Sequence, residues 1–96
     1  MDELVRDDGL SLPRPMEYVR SEIQVLAVAM EGRLREKELT RGETWKEMPA
    51  ADLWAKIPGQ VQHLRAAIET NDHELIKKKC ADIANYCMFI HDNVGK

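Results

Sequence analysis

Cysteine is scarce in this chain of 96 residues: there are two, Cys80 and Cys87. Seven residues apart on a helix, they stand about 10 Å from each other at 1.5 Å per residue. A disulfide tolerates Cα atoms up to roughly 7 Å apart, so a bridge between them is excluded if that segment is helical. They are expected as buried small hydrophobes in a reducing compartment. Long apolar runs are also missing. No segment approaches the ~20 residues of a membrane span, and the charged start MDELVRDDGL lacks the apolar stretch of a signal peptide. The cytoplasm is therefore the expected location. Basic surplus is absent: 14 Lys and Arg stand against 17 Asp and Glu, a net charge of −3. General nucleic-acid binding is not expected from that balance. The chain has no Gly-rich phosphate loop, no Cys-x-x-Cys pair and no nucleophile elbow. A structural zinc site is not expected, and no cofactor is implied.

What is present is helical patterning. The length allows one domain with a marginal core, for which oligomerisation is a common remedy. Residues 1–15 read as an arm, broken by Asp7-Asp8-Gly9, Pro13 and Pro15; residues 16–96 form one helical domain. Val19, Ile23, Leu26, Met30 and Leu34 trace one apolar stripe on a helix from about Pro15 or Met16 to Glu38. Arg35 and Lys37 lie off it, on a solvated face. Thr40–Met48 is a loop, with Trp45 as the residue that docks it. Ile57, Val61, Leu64 and Ile68 form a second stripe, but Pro58-Gly59 interrupts it. A proline inside a helix costs about 3 kcal/mol, so a short helix over 50–56 and a kink or restart near Pro58 are expected. Asn71 or Asp72 caps a third helix that runs to about Asn93. That helix is apolar on two faces and needs cover on two sides, one of which a second chain could provide. No strand shows period-two alternation. The fold class is all-α, a helical bundle.

The order of segments carries further information. A helix ending in MEGRLREKEL is followed by GETWKEM, then LWAKIPGQVQHLRAAI, then ELIKKKCADIANYCMFIHDN. Over residues 24–93 this resembles the MazG-like nucleotide pyrophosphohydrolases, especially short phage and archaeal members. Ala81-Asp82-Ile83-Ala84-Asn85-Tyr86, with Met88-Phe89-Ile90, is the most specific part. The resemblance implies a helical bundle completed by oligomerisation, as a dimer or tetramer. It also implies a carboxylate cluster from two facing helices, Glu-Glu-x-x-Glu and Glu-x-x-Asp, which share a face at spacings of three and four. Such a cluster holds Mg²⁺ against a triphosphate and activates water for cleavage between the α and β phosphates.

The chain departs from that pattern. With Val61, Leu64 and Asp82 as anchors, the three glutamates of the first motif fall on Gly59, Gln60 and His63, and the glutamate of the second falls on Lys79. Only Asp82 remains, with Asn85 one turn beyond. Four of five expected carboxylates are absent by this alignment, and a lysine repels the ion that the aspartate attracts. The residues expected at a ligand site are Lys79, Asp82, Asn85, His63, Gln60, Tyr86 and Trp45, with no catalytic residue and no metal. Lys79 and His63 are placed to contact phosphate, Asn85 a base or sugar, and Tyr86 and Trp45 to stack on a base. Each also has a plain role: Asp82 in a salt bridge to Lys78 or Lys79, His63 as a structural histidine, Asn85 as a bridge between helices, and Tyr86 and Trp45 in packing.

Three functions compete. The first is a catalytically degenerate MazG-like protein that binds or sequesters a nucleotide or nucleotide-derived signal without Mg²⁺, with a phage counter-defence role in the host cytoplasm implied by the resemblance alone. The second is a protein-interaction or inhibitor module that uses a helical oligomer as scaffold. The third is an active pyrophosphohydrolase with a metal site rebuilt from Glu74, Asp82 and Glu22 or Glu31.

Overall fold

The computed structural model describes residues 18–95, apart from the side chain of Arg41. The expected arm, residues 1–15, lies outside them. Three α-helices follow one another: α1 (Ser21–Arg41), α2 (Ala50–Glu69) and α3 (His73–Asn93), with a short 3₁₀ turn at Thr44–Glu47 between the first two. No strand occurs among the described residues.

α1 begins at Ser21, later than the apolar stripe suggested. Val19 and Arg20 lie outside the helix, and the Arg20 carbonyl accepts its first backbone bonds, from Ile23 and Gln24. The amide of Gln24 folds back onto the Val19 carbonyl at 2.6 Å. The helix ends on Gly42, whose φ of 64° lies in the left-handed region that glycine enters without a Cβ penalty.

The break expected at Pro58 does not occur: α2 is one helix from Ala50 to Glu69 with Pro58 inside it. Proline removes the bond that its own N–H would make to the Trp54 carbonyl one turn earlier and crowds that carbonyl with its ring. Trp54 and Pro58 are both exposed, so water can satisfy that carbonyl. Packing of α2 on α3 along both halves holds the axis. Pro58→Ala restores the bond and is expected to raise the stability of the fold by about 1–3 kcal/mol. A higher midpoint in urea unfolding would confirm this; an unchanged or lower one would contradict it.

The turn between α2 and α3 serves both helices. The Asp72 N–H bonds the Ala67 carbonyl and the Asn71 N–H bonds the Ile68 carbonyl, both at 3.0 Å, which closes α2 in a Schellman motif. Asn71 takes the left-handed position, with φ of 58°. The Asp72 carboxylate then caps α3 by accepting from the Leu75 N–H at 3.2 Å.

α3 lies in the middle. α1 and α2 each pack on it and hardly touch each other. The two covered sides anticipated for α3 are thus supplied by helices of the same chain. The interior is small: the buried described residues are Leu53, Ala67, Ala81 and Phe89, together with two polar ones, Asp82 and Asn85. The cysteines are not among them. Cys80 and Cys87 are both free and exposed, which corrects the expectation of buried thiols. They share a flank of α3 that neither neighbouring helix reaches. None of the described helices is long and apolar enough to cross a membrane.

Candidate functional site

Asp82 is the centre of the polar interior. Only 1% of its surface is exposed. A buried carboxylate needs partners, because an unpaired charge in low dielectric is strongly disfavoured. Arg33 on α1 provides a two-pronged clamp: Nε donates to Oδ1 at 2.8 Å and Nη2 donates to Oδ2 at 3.0 Å. Two ammonium groups stand just outside hydrogen-bond range, Lys37 Nζ at 3.7 Å from Oδ1 and Lys79 Nζ at 3.6 Å from Oδ2. Burial alone would push the Asp82 carboxyl upward. The Arg33 hydrogen bonds and the charges of Lys37, Arg33 and Lys79 outweigh it, and the group sits below the usual carboxylate range. The same hydrogen bond raises the pKa of Arg33 further above its ordinary value. Glu36 holds the other edge of the guanidinium through Nη1 at 2.9 Å.

Of the two salt-bridge partners foreseen for Asp82 on its own helix, Lys79 is in place and Lys78 is exposed. The main partner, Arg33, is a residue that sequence reading missed. So is Lys37, which the spacing of the apolar stripe through Leu34 places on a solvated face. A signal was present: the stripe Ile23, Leu26, Met30 continues at the same three–four spacing into Arg33 and Lys37. Read as a face rather than as a set of hydrophobes, α1 carries its two cations towards the interior.

Asn85 lies one turn along α3 from Asp82 and is 4% exposed. Its Nδ2 donates to the Met30 carbonyl at 3.1 Å. A carbonyl can only accept, so this contact fixes the amide orientation and commits the nitrogen. Oδ1 is left buried with no partner among the described residues. Such an orphaned acceptor costs about 1–3 kcal/mol.

Asp82 and Asn85 form one wall of a cavity of about 80 Å³ between the three helices and the 3₁₀ turn. Tyr86, Phe89, Trp45 and Lys37 also line it, and Lys56 contributes a further ammonium from α2. The aromatic side is well ordered by its own contacts. Trp45 stacks on Phe89 with ring centroids 4.3 Å apart and planes 15° from parallel, and Tyr86 meets Phe89 edge-on at 5.6 Å. Asn93 ties the turn to the end of α3 by donating to the Trp45 and Met48 carbonyls at 3.0 and 3.1 Å. Trp45 therefore docks its loop, as expected, and also walls the cavity.

Four of the seven anticipated residues, Asp82, Asn85, Tyr86 and Trp45, line this one cavity. Two others stand beside it: Lys79 reaches Asp82 and donates to Gln60 Oε1 at 3.4 Å. His63 is exposed on α2 and is not part of the lining.

The residues present do not fit Mg²⁺. That ion takes oxygen ligands and at least one or two carboxylates. Two carboxylates line the cavity, Asp82 and Glu38, and the buried one, Asp82, is clamped by Arg33 and flanked by two ammonium groups. Glu31, one of the residues considered for a rebuilt site, is paired with Arg35 at 3.0 Å. No group of three or more His, Cys, Asp or Glu able to hold a metal occurs among the described residues. What the arrangement offers is cationic nitrogen, a free amide acceptor and aromatic surface. No family model, curated protein or solved structure matches the chain.

Proposed function

We propose that this chain is a catalytically degenerate relative of the MazG-like nucleotide pyrophosphohydrolases, one that binds a nucleotide or nucleotide-derived signal without Mg²⁺. The observation that carries the reading is the state of Asp82: the one carboxylate left at the expected metal positions is bound by a guanidinium and faced by two ammonium groups. In this reading cations take over the phosphate-binding role that a metal fills in an active enzyme, and Asp82 positions them. Lys37 and Lys79 have donors to spare beyond their loose ion pairs, and Lys56 adds a third ammonium at the cavity. Trp45 and Tyr86 give a ring its apolar walls. The orphaned Asn85 Oδ1 asks for an N–H or O–H on the ligand.

Size limits how the ligand sits. Pockets for whole drug-sized ligands measure roughly 300–1,000 Å³, against about 80 Å³ here. A single ring enters, and the phosphates stay at the mouth near the lysines. The protein acts as a homo-oligomer in this reading. A phage protein that withdraws a signalling nucleotide in the host cytoplasm is the setting that the resemblance supports.

Thermal shift with a panel of nucleotides in excess EDTA tests the proposal. At least one phosphate-bearing ligand is expected to raise the melting temperature. No shift with any ligand at high micromolar concentration would sink the idea.

A further inference from the structure

The segment between α1 and α2 walls one side of the Asp82 cavity, through Gly42, Thr44, Trp45 and Met48. Its internal bonds are local: the Lys46 N–H to the Glu43 carbonyl, the Met48 N–H to the Trp45 carbonyl, and the Lys46 ammonium to the Glu43 carboxylate. The 3₁₀ turn packs chiefly on α3. Two contacts hold it there, the Trp45–Phe89 stack and the bonds from Asn93 Nδ2 to the Trp45 and Met48 carbonyls. The second contact works against itself. Both acceptors are carbonyls, so the Asn93 nitrogen must face them and the amide cannot turn over. Asn93 Oδ1 is then buried with no partner among the described residues. A buried acceptor without a donor disfavours the state that buries it. Lifting the turn lets water reach both carbonyls and the whole Asn93 amide, so the stack and its burial are what opening loses outright. The ends of the segment suit such a motion. Gly42 stands at φ 64° and ψ −147°, a region that glycine alone enters freely, and it can leave again at little cost. Pro49, at the other end, caps α2 with a φ fixed by its ring.

We propose that residues 43–48 are a lid on the cavity, hinged at Gly42. Closed, Trp45 lies on Phe89 and the turn is tied to Asn93. Open, the indole leaves Phe89, the Asn93 bonds break, and the cavity gains a way in beside Phe89. The closed state is only weakly preferred, because the orphaned Asn93 oxygen offsets part of what the stack and the two bonds contribute. Opening is a local event that leaves the helices in place, since α1 and α2 each pack on α3 without the turn. The gating role of Trp45 rests on the nucleotide-binding reading; the opening itself does not. In that reading a ring enters the open form and Trp45 closes over it, which fits a closed cavity of only about 80 Å³.

The test uses the full chain carrying Trp54→Phe, which leaves Trp45 as its one indole. Trp54 is 66% exposed and does not line the cavity, so the substitution leaves the lid alone. On heating without nucleotide, Trp45 emission is expected to move to the red at least about 5 °C below the midpoint of the helical circular dichroism. Coincident transitions would show that the turn opens only when the helices melt, and would overturn the lid. Asn93→Asp in the same background is an independent check, because a carboxylate cannot donate to the two carbonyls. With the helical signal intact, the open population is expected to rise about 10-fold, read as greater acrylamide quenching of Trp45. Quenching equal to the parent's also overturns the proposal. Neither measurement contains a ligand, so both decide the lid even if no nucleotide binds. A nucleotide that does bind is expected to raise the Trp45 transition towards that of the helices. One that binds and leaves the transition unmoved removes Trp45 as the gate.

Discussion

Asp82→Ala lowers the stability of the fold by about 3–5 kcal/mol. That is the cost of removing one partner from a buried ion pair and leaving the other stranded. Here three cations lose their common anion: Arg33 keeps only Glu36, and Lys37 and Lys79 face each other's charge with nothing between. A domain of this length has roughly 5–14 kcal/mol in total, so the variant loses a substantial share of its margin. Urea unfolding at pH 7 measures the effect. A loss within about 0.5 kcal/mol, the usual range for surface substitutions, would show that the carboxylate is not the structural centre described above. The pH dependence has a definite sign. The folded pKa of Asp82 lies below its unfolded value of about 3.9. Its contribution is complete above that unfolded value and is lost as pH falls through the lowered folded one. The wild-type chain should lose stability steeply below about pH 4, and Asp82→Asn, where it folds, should flatten that limb.

Lys37→Met separates binding from stability. The substitution keeps the aliphatic stem and deletes the ammonium. The Arg33 clamp on Asp82 is untouched, and the pair being removed is a loose one at 3.7 Å. Stability is expected to change by less than about 1 kcal/mol. Affinity for a phosphate-bearing ligand is expected to fall about 10- to 100-fold, the worth of one charge-assisted hydrogen bond of roughly 1.5–3 kcal/mol. Raising the salt concentration should weaken the wild-type chain more than the variant, because exposed charge is screened. Equal affinities for the two proteins would remove Lys37 from the site.

The three helices were legible because their apolar residues recur at helical spacing, and the second turn because Asn and Asp have a specific use at helix ends. Asn71 and Asp72 divide that use between the end of α2 and the start of α3. Pro58 misled because its penalty is local and its freed carbonyl is on an exposed side, whereas the packing that holds α2 straight comes from α3, 15 to 35 residues further on. The thiols misled for a related reason: periodicity identifies an apolar face but not whether anything covers it. Val61 and Ile68 show the same, since the stripe that contains them splits into a half-buried edge with Ile57 and Leu64 and an exposed one. The site was half legible. Asp82, Asn85, Tyr86 and Trp45 were singled out through the family resemblance and line one cavity. Arg33 and Lys37 were not: spacing puts them on the α1 stripe, but their partner lies 49 and 45 positions away in the chain and only the fold brings it opposite them.

The central claim is that this site holds its ligand with cations and no metal. Calorimetric titration of the strongest ligand from the nucleotide panel, in excess EDTA and again in millimolar Mg²⁺, tests it directly. The account predicts binding in EDTA with a dissociation constant within a few-fold of that in Mg²⁺, and no pyrophosphate released in either. Binding that appears only with Mg²⁺, or pyrophosphate release that Asp82→Asn abolishes in a folded protein, would contradict it.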